Sequence, residues 1–181
     1  AGEGVLGYDA LGDPAAVTAL GRTLAADGAL GPMVLKKIPG AELPVPEKGR
    51  PMGVEQSNTS VIFDDEVMMK VFRRLHPGVN ADVELLAALS AADCASVPRL
   101  YGWAELEVDG EKYTTAMLQE FVPNSADGWS MALTSVRDII READLQPEDL
   151  GTAFGFEAAA LGAAVAEVHE NLAAAVPVRG R

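Results

Sequence analysis

Two β-hairpins with a single helix between them occupy residues 59–121, and that order rules out most ways of folding the chain. Residues 59–63 and 66–72 are short strand-forming runs joined at Asp64-Asp65, a pair suited to a tight hairpin turn. In the second run Val67, Met69 and Val71 share one face, while Met68, Lys70 and Phe72 share the other. A helix is predicted over 80–92, with Leu85, Leu89 and Ala92 on its buried side and Pro98 beyond its end. Residues 103–108 and 112–121 then form a hairpin about Asp109-Gly110. Antiparallel strands with one inserted helix make an α+β arrangement.

Helices flank this unit. Asp13 caps the first, Pro14 suits its opening position, Val17, Leu20 and Leu24 form its stripe, and Gly28 ends it. Residues 33–38 read as a strand and the proline-bearing stretch 39–51 as a loop. After the second hairpin, 131–142 carries Met131, Val136, Ile139 and Ile140 at helical spacing. Residues 156–175 do the same with Leu161, Val165, Val168 and Leu172.

A net charge of −13 argues against nucleic acid or an anionic membrane as the main partner. No apolar run reaches the roughly 20 residues of a membrane span, and no signal peptide precedes the first helix. Cys94, the single cysteine, has no partner for an internal disulfide, which fits a reducing cytoplasm. A soluble, cytoplasmic protein is expected.

Phosphate binding needs backbone N–H groups, small side chains and a nearby cation. Gly53-Val54-Glu55-Gln56-Ser57-Asn58-Thr59-Ser60 supplies the first two between strands, although polar loops between strands are common. Lys70 interrupts an apolar strand, so its ammonium must reach either water or an anion. Glu84, in the first turn of the following helix, is favoured there by the helix dipole and is also placed to pair with Lys70. The strand ending Met117-Leu118-Gln119-Glu120-Phe121-Val122-Pro123 turns polar after Pro123. His76 and His169 read as structural, and Trp103 and Trp129 as core or loop-anchoring aromatics.

Three long segments carry a resemblance: GVEQSNTSVIFDDEVMMKVFRRLHPGVNADVE, VPRLYGW and AMLQEFVPNSADGW. Together, over 53–129, they resemble the actinobacterial maltokinases. The resemblance implies a protein-kinase-like small lobe, an antiparallel sheet with one inserted helix and flanking helices. Residues 1–32 would be the end of an N-terminal cap, 33–122 the small lobe, and 123–181 the hinge and first helices of a truncated large lobe. It implies transfer of the γ-phosphate of ATP to maltose with Mg²⁺, feeding α-glucan and glycogen synthesis. In that scheme Gln56, Ser57, Asn58, Thr59 and Ser60 would line the phosphates. Lys70 would grip them, Glu84 would orient Lys70, and Glu120 and Val122 would offer backbone contacts to adenine.

The family's catalytic Asp and Mg²⁺ ligands belong to its large lobe. Residues 123–181 hold no His-x-Asp motif, and 151–181 hold no Asp. The expectation is an ATP-binding portion with no catalytic residue and no metal ligand of its own, whose standing as an enzyme is left open. The alternative is a non-catalytic cap and small-lobe module of carbohydrate metabolism that acts through a protein partner or self-association. An aminoglycoside- or amino-sugar-kinase-like protein is a further reading, because the small lobe does not contain the acceptor contacts.

Overall fold

The computed structural model describes residues 9–54, 58–125, 127–141 and 153–175. A short 3-10 turn (Ala10–Gly12) leads into α1 (Pro14–Asp27). Asp13 caps α1, its carboxylate accepting from the Ala15 N–H at 2.8 Å, and Gly28 closes it at φ 65°. The strands follow as β1 (Ala29–Leu30), β2 (Met33–Lys37), β3 (Gly49–Val54), β4 (Asn58–Phe63) and β5 (Val67–Phe72). Then come α2 (Ala81–Ala91), β6 (Leu100–Val108), β7 (Glu111–Glu120), α3 (Gly128–Arg141) and α4 (Ala153–Ala175).

Among the described residues the strands form one antiparallel sheet in the order β1-β2-β6-β7-β5-β4-β3. The α+β class is therefore as the sequence implies. Both hairpins form, with Asp64 and Asp65 at φ 51° and 56° and Asp109 and Gly110 at 52° and 83°, but the first turn is one residue longer than expected: Phe63 opposes Val67, so Glu66 belongs to the turn and not to the strand. The loop predicted over 39–51 is shorter than expected. Gly49, Arg50 and Pro51 belong to β3, which tolerates a proline because it is an edge strand with no second neighbour to receive an N–H.

The sheet buries both faces. On one, α1 sets Val17 and Leu24 against Val61, Phe63, Val67, Met69, Ala116 and Leu118. On the other, α2 sets Val83 against Phe72, Leu100 and Met117, with Leu86 and Ala87 beside it. This corrects the predicted buried side of α2. Leu89 is buried, but Leu85 is 44% exposed and Ala92 is exposed, because the row facing the sheet is Val83, Leu86 and Ala87. The segment containing α1 and β1 shares core and sheet with the strands that follow.

The segment 39–48 is fastened at its C-terminal end. The Arg22 guanidinium donates to the carbonyls of Pro46 and Glu47 at 2.8 and 2.9 Å, and the Asp64 carboxylate accepts the N–H groups of Glu47 and Lys48 at 2.8 Å each. Helices α3 and α4 pack far more lightly. Ile140 is 72% exposed, Phe156 74% and Trp129 71%, so Trp129 anchors no core here. Among the described residues no helix is long and apolar enough to cross a membrane.

Candidate nucleotide-binding face

The β4–β5 ladder decides which predicted residues meet. Directly opposed residues of antiparallel strands point to the same face. Ser60 opposes Lys70, Asn58 opposes Phe72 and Thr59 opposes Val71. Phe72 belongs to the α2-side cluster and Val71 packs on the α1-side cluster. Asn58, Ser60, Lys70 and Phe72 therefore share the α2 face, and Lys70 also opposes Met117 of that cluster. Lys70 is half-buried, and Ser60 is buried beside it.

Thr59 points the other way. It is buried, and its hydroxyl oxygen accepts from Arg73 Nε at 3.0 Å and Nη2 at 2.8 Å. Its backbone follows the phosphate-type loop, but its side chain lies on the face opposite Lys70. Gln56 and Ser57 lie outside the described residues.

Glu84 is exposed in the first turn of α2. Among the described residues the ion pair within 4.0 Å is Arg50–Asp65, so Lys70 and Glu84 stand apart here. Where β7 ends, the Glu120 N–H donates to the Arg99 carbonyl at 2.8 Å and its carboxylate accepts from the Arg99 N–H at 3.3 Å. Phe121 donates to the Glu66 carbonyl at 2.8 Å. Val122 is exposed, and its backbone N–H and C=O have no hydrogen-bond partner among the described residues. Of the two predicted adenine contacts, Val122 is thus the one with open backbone groups. Burial, with Glu120 and Glu66 nearby, pushes the Tyr101 phenol up despite Arg99, so it stays neutral at physiological pH.

Two features went unread in the sequence. Arg74 faces a cavity on the α2 side, which the alternation of β5 would have shown if continued past Phe72. Glu167 ties α4 to the loop after α2, accepting from the Ala95 N–H at 3.2 Å and from the Ser96 hydroxyl. No local pattern announces a contact between residues about seventy positions apart.

The metal fits less well than the nucleotide. Among the described residues no group of three or more His, Cys, Asp or Glu gathers to hold an ion. The α2 face offers a cation, a hydroxyl and an amide, which suit phosphate oxygens, and among the described residues it gathers no cluster of carboxylates of the kind that holds Mg²⁺.

No protein-family model matches the chain. It is 29% identical over 129 residues to a glucosamine kinase of Mycolicibacterium smegmatis (strain ATCC 700084 / mc(2)155), across 70% of this chain and 32% of that protein. The likeness is to sugar kinases. A solved glucosamine kinase in complex with glucosamine, ADP and inorganic phosphate matches 88% of this chain and 35% of its own length, with TM-score 0.59 and 26% identity. Another glucosamine kinase structure, crystal form A, matches 89% and 36%, with TM-score 0.63 and 25% identity. The chain spans about a third of the length of these relatives. Maltose does not enter these likenesses, whose named sugar is an amino sugar.

Proposed function

We propose that this chain is the ATP-binding portion of a protein-kinase-like sugar kinase, at work in the cytoplasm where ATP is supplied. The observation that carries it is Lys70: half-buried, opposed to Ser60 on the α2 face, and without an ion-pair partner among the described residues. A half-buried ammonium with no carboxylate in reach is stabilised by an anion brought to it. Asn58, the first residue of β4, shares that face with Ser60, and their amide and hydroxyl groups suit phosphate oxygens. The likeness to a kinase solved with ADP supports the same assignment.

In this reading Lys70 holds the inner phosphates, with Ser60 and Asn58 on the same face. Glu84 orients Lys70 once nucleotide draws α2 inward, and Val122 offers its open backbone groups to adenine. Gln56 and Ser57 complete the loop, with Thr59 contributing through its backbone. The base, the metal ligands and most sugar contacts are supplied by other residues, so the described portion binds and orients without transferring phosphate. An amino sugar is the acceptor favoured by the likeness to glucosamine kinases. Maltose is a second reading, favoured by the segments over 53–129 that resemble maltokinases.

Calorimetric titration with Mg·ATP and Mg·ADP tests the nucleotide assignment. Lys70→Met keeps the aliphatic stem and removes the charge. A charge-assisted contact is worth about 1.5–3 kcal/mol, so affinity for both nucleotides should fall at least about tenfold. Wild-type affinity retained in Lys70→Met would refute the role given to Lys70.

A further inference from the structure

Cations continue along β5 beyond Lys70. The sequence runs Lys70-Val71-Phe72-Arg73-Arg74-Leu75-His76, a dense basic stretch in a chain of net charge −13. The strand's alternation carries past its end. Arg73 turns to the α1 side and donates twice to Thr59 Oγ1. Arg74 is left on the other side, where it lines a cavity of about 480 Å³ with Asn58, Phe72, His76, Asn80 and Asp82. Its guanidinium has no partner among the described residues, and Asp82 is not within 4.0 Å of it.

The position of this cavity relative to Lys70 gives it meaning. Asn58 is the first residue of β4 after the phosphate-type loop, so the cavity opens at the end of that loop. The strand ends at Phe72 and the backbone bends at Arg73 and Arg74, which brings Arg74 to the cavity just beyond the strand end, with Phe72 between it and Lys70 in the chain. Long, flexible side chains narrow that separation. A guanidinium presents a planar fork of donors that matches phosphate oxygens and does not lose its charge. Asp82 disfavours an anion at the α2 wall and so leaves the side of the cavity lined by Asn58 for it.

We propose that Arg74 is the second cation of the nucleotide site, receiving the terminal phosphate of a nucleoside triphosphate while Lys70 holds the inner phosphates. This rests on the nucleotide-binding reading above. It makes Arg74 the residue that distinguishes triphosphate from diphosphate, and its neighbour Arg73 a structural residue of the opposite face.

The test is calorimetric titration of wild type, Arg74→Ala, Arg74→Lys and Arg73→Ala with Mg·ATP, Mg·ADP and AMP. Arg74→Ala should weaken ATP binding about tenfold or more while ADP and AMP change little, narrowing the ATP-to-ADP ratio by that factor. Arg74→Lys should fall between, and Arg73→Ala should leave the ratio at the wild-type value. If Arg74→Ala binds nucleotide with an unchanged ratio, the role of Arg74 is overturned and nucleotide binding stands. Should wild type bind no nucleotide, both readings fall. Thermal melts confirm folding, and if Arg74→Ala is unfolded the ratio in Arg74→Lys decides.

Discussion

Gly102→Ala should destabilise the protein, and the direction of the effect is the informative part. Gly102 is buried in β6, opposite Lys37 on one side and Leu118 on the other. A Cβ built there lies 2.3 Å from the Lys36 carbonyl oxygen, and 3.2 Å from both the Lys36 carbonyl carbon and the Lys37 Cα. All three atoms are backbone, so no side chain can swing aside. β2 would have to retreat by about 0.7 Å to reach even 3.0 Å, stretching its ladder to β6. Overpacking of this kind costs about 1–3 kcal/mol. Gly102 does not adopt a positive φ, so without the clash the substitution would stabilise by about 0.4–1 kcal/mol through the unfolded chain. Steric and entropic effects thus have opposite signs. For a chain of this length a net loss of about 1.3 kcal/mol lowers Tm by about 3–5 °C, readable by calorimetry or circular dichroism. Gly162→Ala is the companion variant: nothing lies within 4 Å of its added methyl in helix α4, so Tm should rise. If Gly102→Ala melts at or above wild type, the close approach of β2 to β6 is wrong.

The other predictions bear on α4, on the exposed helices and on the basic strand. Hydrogen bonds from the Ser96 hydroxyl and the Ala95 N–H hold the Glu167 carboxyl below the usual glutamate range. A lowered folded value means the tie is fully present above the ordinary value of 4.5 and is lost as pH falls through the lowered one. Protection of α4 amides, measured against the intrinsic exchange rate at each pH, should therefore fall on acidification, and Glu167→Gln should show lowered protection already at neutral pH; equal protection in both proteins at neutral pH would remove the tie. Ile140→Lys and Leu161→Lys act on side chains 72% and 65% exposed, so they should leave the unfolding free energy within about 0.5 kcal/mol of wild type. If these faces drive self-association, the same pair should lower the sedimentation coefficient at high concentration; an unchanged coefficient would exclude them as the contact. Loss of ATP affinity in Lys70→Met and loss of the ATP-to-ADP ratio in Arg74→Ala complete the set.

Much of the fold was legible because local and tertiary preferences agree. Asp13-Pro14 and Gly28 bound α1, and Asp64-Asp65 and Asp109-Gly110 set both turns, since short-range sterics decide caps and tight turns. The buried side of α2 was not legible. Ala81–Ala91 carries Val83 and Leu86 on one side and Leu85 and Leu89 on another, so periodicity alone does not rank them. Pro51 argued for loop because a proline disfavours a strand, yet an edge position removes the objection, and edge status depends on the whole sheet. At the candidate site, Lys70 could be assigned a face by alternation along its own strand. Thr59 could not, because its face follows from the register between β4 and β5.

That register decides whether the chain has a site at all. The three-residue turn Asp64-Asp65-Glu66, with φ positive at both aspartates, sets Phe63 opposite Val67 and thereby Ser60 opposite Lys70. A slip of one residue would move every side chain of β5 to the other face. Lys70 would then enter the cluster formed by Val17, Leu24, Val61 and Leu118, where no water reaches its ammonium. Val71 and Met69 would leave that cluster for the α2 side. The slipped state forfeits burial on one face and strands a charge on the other, so it lies several kcal/mol above the native pairing. The placement of the basic residues is therefore enforced by the core itself: the apolar residues at 67, 69 and 71 must face α1, and Lys70 and Arg74, offset by one position, are carried to α2.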